Sequence, residues 1–348
     1  LVLTSCAVGG DKIYVGTQGC GVYSGDIDMD NWSVVWQPDR SNKPVPEVYS
    51  LEVKVDPTNS NRIFVGSNPG GLYRSDDGGT TFYDKNFLTP SVVVDDPFRQ
   101  GYYTFVLNPS DTSEVWLGTW GKGVYKSYDR MDFDIGANGT DMKMYGKHIY
   151  QILVQPGPRF STVYVATEEG VFRSNDNGTT WGDISTGLDT SQVRTLAVTA
   201  GGTLLCGTLG YELYYYDTSS RYHRWRQMHG FRKFGPPWPI WNNRIMYQYS
   251  SILFHPTDPD IIYFGTFPAG IYKSTDGGRS WREKNVGWTN DGVFCLSFHP
   301  EDPNIIYAGT YNGVNRSTDA AARWEMWDNG WPAEQWVFSI DFDRHDPN

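Results

Sequence analysis

The sequence predicts an all-β fold, a β-propeller built from four-stranded antiparallel blades, and two observations support that prediction. The first is internal repetition, because a tag of the form Ile-Tyr-x-Gly-Thr occurs seven times, in exact or weaker copies, at intervals of 41 to 58 residues. The second is the content of each repeat, which holds four short runs of alternating β-branched and aromatic residues bounded by Gly, Pro, Asn and Asp. Four strands in a period of about 40 to 50 residues are typical of one propeller blade.

The tags divide the chain into blades. They end at Thr17, Ser67, Thr119, Thr167, Thr208, Thr266 and Thr310. We expect a single propeller domain over residues 1–348, with blades at about 1–37, 48–86, 102–135, 149–184, 192–227, 247–285 and 292–328. One surplus strand is expected at 337–343, because this run repeats the first strand of a blade and aligns with the residues from Val293 onward. The alternatives are eight blades, or a part of a longer chain with several propellers.

Composition excludes several classes of protein. The 348 residues include 40 acidic and 29 basic side chains, which gives a net charge of −11, and 16% are aromatic. Disordered chains, coiled coils and collagen have different compositions. No apolar run approaches the ~20 residues that a membrane-spanning helix needs. A nucleic-acid partner is not expected, because such proteins carry a basic surface.

The four cysteines indicate neither a disulfide scaffold nor a metal site. No Cys-x-x-Cys pair is present, and we expect no metal and no cofactor. Repeat alignment places Cys6 and Cys206 inside strands, where unpaired cysteines usually act as small core residues. Cys295 aligns with Ser5, one position away from Cys6, so the two cysteines should point to opposite faces of their strands. Cys20 lies in a loop.

A second motif falls between the third and fourth strands of the repeats and has the form Ser-x-Asp-x-Gly-x-Ser/Thr-aromatic. Close copies begin at Ser75, Ser174 and Ser274, and a fourth begins at Ser317, with Ala321 in place of the glycine. An Asp carboxylate can accept amide hydrogen bonds in a tight turn, and glycine adopts the left-handed conformation without a Cβ penalty. We therefore predict structural turns at these four copies, whose aspartates are Asp77, Asp176, Asp276 and Asp319.

The motif resembles the Asp-box (BNR) repeat of sialidases, xyloglucanase-type glycosidases, sortilin-type receptors and photosystem assembly factors. The resemblance covers the whole chain and implies the propeller fold, with the turn aspartates as structural rather than catalytic groups. The three remaining repeats keep eroded copies, around Asp26, Asp129 and Asp217.

Candidate ligand-binding residues come from loops that strand order brings to one face. These are the loops between second and third strands, together with the links between blades, the longest of which are 85–101, 134–148 and 228–247. The link 228–247 is rich in proline, arginine and tryptophan, with no strand in which those tryptophans could pack. Aromatic and charged side chains suit stacking and hydrogen bonding to sugars. The predicted ligand-binding residues are Trp120, Glu168, Glu169, Trp238, Trp241, Arg244, Phe267 and Tyr311.

The sequence favours a non-catalytic function over an enzyme. A sialidase needs an arginine cluster, and residues 1–36 contain no arginine. A xyloglucanase-type glycosidase needs two carboxylates about 5 to 9.5 Å apart and typically pairs two propellers. Glu168 and Glu169 are sequence neighbours, and Asp95 and Asp96 are alternatives. We therefore predict a propeller that binds a glycan or a protein partner, or serves in an assembly; the alternative is a glycoside hydrolase that acts on a polysaccharide.

Location and assembly are further expectations. The glycosylation sequons at Asn31 and Asn138, with a composition rich in Trp, Tyr and Asn, favour a secreted or cell-surface protein. The surplus strand at 337–343 is predicted to add to a sheet edge, in its own propeller or in a neighbouring subunit, and so to support a homo-oligomer.

Overall fold

A computed structural model provides the structure of this chain. It describes residues 3–9, 12–17, 21–26, 31–36, 50–68, 71–84, 102–119, 121–128, 144, 146–189, 192–199, 202–208, 213–217, 223–228, 251–266, 270–288, 292–299, 301–310, 312–327, 337 and 340. Within these ranges the chain forms 27 strands and no helix.

The strands form seven antiparallel sheets. The first contains β1 (Leu3–Gly9), β2 (Lys12–Thr17), β3 (Gly21–Asp26) and β4 (Ser33–Trp36); the second β5 (Ser50–Asp56), β6 (Asn59–Asn68), β7 (Gly71–Ser75) and β8 (Tyr83–Asp84); the third β9 (Tyr102–Asn108), β10 (Asp111–Thr119) and β11 (Val124–Ser127); and the fourth β12 (Ile149–Gln155), β13 (Thr162–Thr167), β14 (Gly170–Ser174) and β15 (Gly182–Asp183).

The last three sheets have the same order. The fifth contains β16 (Val193–Val198), β17 (Thr203–Thr208), β18 (Leu213–Asp217) and β19 (Arg226–Gln227); the sixth β20 (Ser251–Phe254), β21 (Ile262–Thr266), β22 (Gly270–Ser274) and β23 (Arg282–Glu283); and the seventh β24 (Cys295–Phe298), β25 (Ile306–Thr310), β26 (Gly313–Ser317) and β27 (Glu325–Met326). Two compact units share these sheets, and their boundary falls inside the fourth.

The sheet topology confirms the predicted fold class. Each sheet takes its strands in chain order and pairs them antiparallel, as the blades of a seven-bladed β-propeller do. Three strands rather than four are seen in the third sheet, within the residues described there. No helix able to cross a membrane occurs in the described part of the chain.

Aromatic side chains fill the space between consecutive sheets inside each unit. Phe64 and Phe105 meet between the second and third sheets with ring centroids 6.4 Å apart. Tyr263 and Phe298 do the same between the sixth and seventh, at 5.7 Å. Burial of such a side chain contributes about 1.5 to 3 kcal/mol. Sheet-to-sheet packing therefore supplies much of the core.

The first strand of each sheet lies at its edge, and in the second, third and seventh sheets a side chain from the preceding sheet accepts a hydrogen bond from its backbone. Ser5 Oγ accepts the Val53 N–H at 2.9 Å. Glu52 Oε2 accepts the Phe105 N–H at 3.1 Å, and Ser251 Oγ accepts the Leu296 N–H at 3.2 Å. A buried edge without such partners would leave N–H groups unpaired at a cost in free energy.

These acceptors share one register position. Each is the first-strand residue that pairs with the fourth residue of the tag, a glycine in all repeats except one. The full set is Ser5, Glu52, Thr104, Gln151, Thr195, Ser251 and Cys295. Every member carries a polar or sulfur-bearing side chain, and in each of the three bonds the donor N–H belongs to the residue after this position in the next sheet.

The tag glycine leaves room for the next first strand. A Cβ at Gly265 would lie 2.5 Å from Val293 Cγ1, and the Val293 N–H donates to Thr266 O at 3.0 Å. Val337 repeats this relation one sheet later: its N–H donates to Thr310 O at 2.8 Å beside Gly309. Val337 therefore has the contacts that its alignment with Val293 predicts. Residues 338–343, apart from Ile340, lie outside the described residues, so strand addition by this segment stays a prediction.

The cysteine predictions can be compared with the strand registers. Cys6 pairs with Val15, and Leu296, its counterpart in the seventh repeat, pairs with Ala308. Cys206 is fully buried, as expected of a core residue, and burial raises the pKa of its thiol well above the ordinary value. Cys295 is half-buried and its Sγ lies 3.9 Å from Val337 O. Cys20 lies outside the described residues.

We expect Ser251→Ala to destabilise the protein by about 1 kcal/mol, because the Leu296 N–H loses its acceptor. The matched control is Ser297→Ala, on β24, whose hydroxyl has no hydrogen-bond partner among the described residues. Urea unfolding monitored by tryptophan fluorescence measures both changes. Equal losses in the two variants would show that the edge bond does not contribute.

Gly178→Ala should lower the free energy of unfolding by about 1 to 3 kcal/mol more than Gly79→Ala does. Both glycines have φ near +88°, at +87° and +88°, so both alanines are equally strained. The added Cβ at position 178, however, would lie 2.5 Å from the buried Trp116 indole, whereas at position 79 its nearest neighbour is at 3.4 Å. Trp116→Phe should recover part of the loss in a double-mutant cycle by urea unfolding; additive costs would contradict the clash.

Candidate functional site

The loops between second and third strands are closed by the threonine that ends the tag. Thr17 Oγ1 donates to Gly21 O at 2.8 Å, and Thr119 Oγ1 donates to Gly123 O at 2.7 Å. Thr266 and Thr310 make the same bond, at 3.1 and 3.0 Å. These threonines are buried, so each loop starts from a fixed point on the sheet.

Half of the predicted ligand-binding residues share one position relative to this threonine. Trp120, Glu168, Phe267 and Tyr311 are each the first residue after the tag. Only Glu168 of these four lies within the described residues; it is half-buried, and the neighbouring Glu169 is exposed. Trp120, Trp238, Trp241, Arg244, Phe267 and Tyr311 lie outside the described residues, as do Asp95 and Asp96.

The four predicted turns have one hydrogen-bond network. In the sixth sheet, Ser274 Oγ donates to Asp276 Oδ1 at 2.8 Å and accepts the Gly278 N–H at 2.8 Å. Asp276 Oδ1 also accepts the Ser280 N–H at 2.9 Å, and its Oδ2 accepts the Ser280 hydroxyl at 2.6 Å. Asp77 and Asp176 have the same partners in their own turns. These carboxylates therefore hold turns together.

Hydrogen bonds lower the pKa of these carboxyl groups. For Asp276, partial burial acts to raise the pKa, but the bonds from Ser280 and Ser274 outweigh it and the pKa is lowered. At Asp77 the hydroxyl and amide of Thr81 are the main causes of the lowered pKa. The groups stay ionised at neutral pH, which suits acceptors in a turn and not general acids.

The fourth turn tolerates alanine in place of glycine. Asp319 keeps its bonds to Ser317 and to the Arg323 N–H. Ala321 has φ of +67° and is fully buried. A non-glycine residue in the left-handed region carries strain, which is compatible here with packing in the core beside Trp324.

Of the two glycosylation candidates, Asn31 lies within the described residues. It is exposed, with φ of +56°, and its side-chain amide donates to Asp26 Oδ2 at 2.9 Å. Asn138 lies outside the described residues.

A buried ion pair in the third sheet was not predicted. Lys126 Nζ lies 2.7 Å from Glu114 Oε2, and both residues are buried. Glu114 Oε1 accepts the Trp116 indole N–H at 2.7 Å and an Asn108 amide N–H at 3.1 Å. Burial lowers the pKa of Lys126, opposed by Glu114. The pair also contacts Asn177 of the next turn, at 3.5 Å, which indicates a structural role between two sheets.

A cavity rich in arginine was also not predicted. It has a volume of 490 Å³ and lies along β18 and β19 in the second compact unit. Its lining residues are Gly187, Asp189, Tyr214, Tyr215, Arg224, Trp225, Arg226, Gln227, Met228 and Arg279. Only the basic character of 221–226 in the sequence points to it, and the contribution of Arg279 depends on the packing of the sixth sheet. No group of three or more His, Cys, Asp or Glu suited to a metal occurs among the described residues.

Known proteins provide relatives for the fold and the sequence. No protein-family model matches the chain. Xyloglucanase Xgh74A from Acetivibrio thermocellus is 23% identical over 319 aligned residues, which span 78% of this chain and 36% of the xyloglucanase. The chain thus spans about a third of that relative's length.

Solved structures show the same fold at lower identity. The GH74 xyloglucanase from Xanthomonas campestris matches with a TM-score of 0.63 and 17% identity, covering 93% of this chain and 54% of that chain. A structure of YCF48 bound to D1 peptide matches with a TM-score of 0.58 and 12% identity, covering 88% and 89%. Identities this low show the fold alone. The chain therefore has xyloglucanase relatives in sequence, and in structure a fold that other proteins share.

We expect Asp276→Asn to destabilise the protein by about 1 kcal/mol at about pH 7, a modest loss because the carboxylate is partly exposed to water. A lowered pKa contributes stability that is present above the unfolded value of about 3.9 and is lost as the pH falls through the folded value. The difference in free energy of unfolding between Asp276→Asn and the unmodified chain should therefore become smaller towards about pH 3. Urea unfolding at both pH values measures it.

The control for this measurement is Glu301→Gln, an exposed carboxylate in the turn between β24 and β25. Its effect should be close to zero at both pH values. A loss in Asp276→Asn that is independent of pH would contradict a role for the ionised carboxylate.

Proposed function

We propose that this chain is the propeller of a glycoside hydrolase that acts on xyloglucan or a related polysaccharide. The alignment with Xgh74A over most of the chain is the single observation that carries the proposal. It favours the hydrolase alternative over the non-catalytic binding or assembly module that the sequence first suggested. The four Ser–Asp turns agree with it, and we assign them to the Asp-box (BNR) class on their motif and shared network.

The proposed ligand-binding residues lie in the loops that follow the tag threonines and in the link 228–247. A polysaccharide needs flat aromatic groups for its sugar rings and polar groups for its hydroxyls. Sequence supplies both in Trp120, Trp238, Trp241, Phe267 and Tyr311, with Arg244 as a charged partner. The buried threonines support the function by fixing where each loop leaves its sheet.

Hydrolysis of a glycosidic bond needs a general acid and a second carboxylate on the other side of the scissile bond. Glu168 and Glu169 follow Thr167 in the loop between β13 and β14, and we propose one of them as a member of this pair. Because adjacent residues of one loop rarely face each other across a substrate, the other member must come from elsewhere. Asp95 and Asp96 are the alternative candidates to this loop.

A secreted or cell-surface location is part of the same proposal, since polysaccharides of this kind are met outside the cell. The sequons at Asn31 and Asn138 and the exposure of Asn31 support it. Strand addition by residues 337–343, in its own propeller or in a neighbouring subunit, is a separate proposal; the contact of Val337 with the seventh sheet of its own chain supports the first of these.

Xyloglucan should retard the full chain in native affinity electrophoresis, and the chain should release reducing ends from it. Trp238→Ala with Trp241→Ala should weaken the retardation at least tenfold, given about 1 to 3 kcal/mol per stacked ring. Glu168→Gln or Glu169→Gln should lower the hydrolysis rate by about 10² or more with binding kept. Glu301→Gln, outside these loops, is the control.

The outcomes separate the candidate functions. Retardation without hydrolysis would return the chain to the class of glycan-binding modules. If xyloglucan causes no retardation and is not hydrolysed, the proposed substrate class is refuted.

A further inference from the structure

The arginine-rich cavity along β18 and β19 is positively charged, whereas the protein as a whole carries a net negative charge. Arg224, Arg226 and Arg279 line it, and all three are exposed. Within the described residues none of the three forms an ion pair. One carboxylate, that of Asp189, faces three guanidinium groups, so the cavity carries a net positive charge in a chain whose net charge is −11.

The sequence shows how this charge arises in the fifth repeat. In three other repeats the residue before the turn aromatic is Thr81, Thr180 or Ser280, and its hydroxyl donates to the turn aspartate at 2.6 Å. Arg224 occupies that position before Trp225. This repeat keeps only an eroded copy of the turn motif, around Asp217, and its residues 221–226 include three arginines and a histidine. Basic groups have replaced an acidic turn.

The walls of the cavity suit a sugar ring. Tyr215 is half-buried and exposes part of its ring, whereas Tyr214 and Trp225 are buried in the wall of the cavity. Trp225 is anchored through its indole N–H, which donates to Ile184 O at 2.8 Å. A volume of 490 Å³ lies within the roughly 300 to 1,000 Å³ usual for small-ligand sites.

We propose that this cavity binds an acidic oligosaccharide through the carboxylate of a uronic acid. Arginine recognises carboxylates through paired N–H groups, and three guanidiniums that form no ion pair with any described residue provide that chemistry. Asp189 at the same cavity can accept sugar hydroxyls, and the Tyr215 ring can contact a sugar face, which favours a sugar acid over an acidic peptide. The inference rests on the proposed function only in taking the ligand to be a polysaccharide.

Isothermal titration of the full chain with trigalacturonate tests the site. Binding should be measurable and should weaken as salt is raised. Arg226→Gln with Arg279→Gln should weaken it at least tenfold, with unchanged melting temperature because both side chains are exposed. Arg282→Gln, an exposed arginine on β23 outside the cavity, is the matched control and should change the affinity less than twofold.

Two further probes identify the ligand class. Fully methyl-esterified trigalacturonate has the same rings without charge and should bind at least tenfold more weakly. Equal binding of the ester, an equal loss in Arg282→Gln, or hexaglutamate binding as tightly as trigalacturonate would overturn the proposal. Xyloglucan retardation should be the same in the double variant and the unmodified chain, so failure of the proposed substrate and failure of this site are separately visible.

Discussion

The hydrogen bonds from one sheet to the edge strand of the next are the interaction on which the packing of consecutive sheets depends. A four-stranded sheet ends in a first strand whose outer N–H groups have no partner in the sheet itself. Here Ser5, Glu52 and Ser251 supply acceptors to the following sheet. The tag glycine is the other half of the arrangement, because a side chain there would hold the next strand away from its acceptor. Tyr14 and Tyr263 add a second contact, donating to backbone carbonyls of the next turn at 3.2 and 3.3 Å.

The turns and the tag threonines fix opposite ends of the third strand in a repeat. A buried serine and an ionised aspartate fix the turn between the third and fourth strands, whereas a buried threonine fixes the loop between the second and third. Both ends of the third strand are thus held by local bonds that do not depend on neighbouring sequence. Loop residues after the threonine can vary without loss of these bonds, which explains how Trp120, Glu168, Phe267 and Tyr311 occupy one repeat position.

Periodicity was enough to predict the fold, and it was not enough to predict every site. The tag, the alternation and the turn motif repeat, so strand order and equivalent positions followed from comparison of copies; Cys295 pairs with Gly309 as Ser5, the residue with which it aligns, pairs with Gly16. The Lys126–Glu114 pair and the arginine cavity were missed because neither repeats. Arg226 and Arg279 are 53 positions apart, and only the packing of the sixth sheet against the fifth brings them to one cavity. The non-catalytic function was ranked first for a related reason: a turn motif identifies the scaffold, whereas the similarity to xyloglucanases, which favours the hydrolase alternative, extends over 78% of the chain.

In each bond to an edge strand the acceptor lies earlier in the chain than the donor, at separations of 48, 53 and 45 residues. During synthesis the acceptor sheet is therefore complete before its recipient leaves the ribosome. At roughly 5 to 20 residues per second, one repeat emerges within about ten seconds, which is ample time for a single sheet to form. The sheets can then assemble in chain order from the N-terminal side, and each finished sheet is the template for the next. Such a vectorial route shortens the time during which any edge strand is exposed to pairing with another nascent chain.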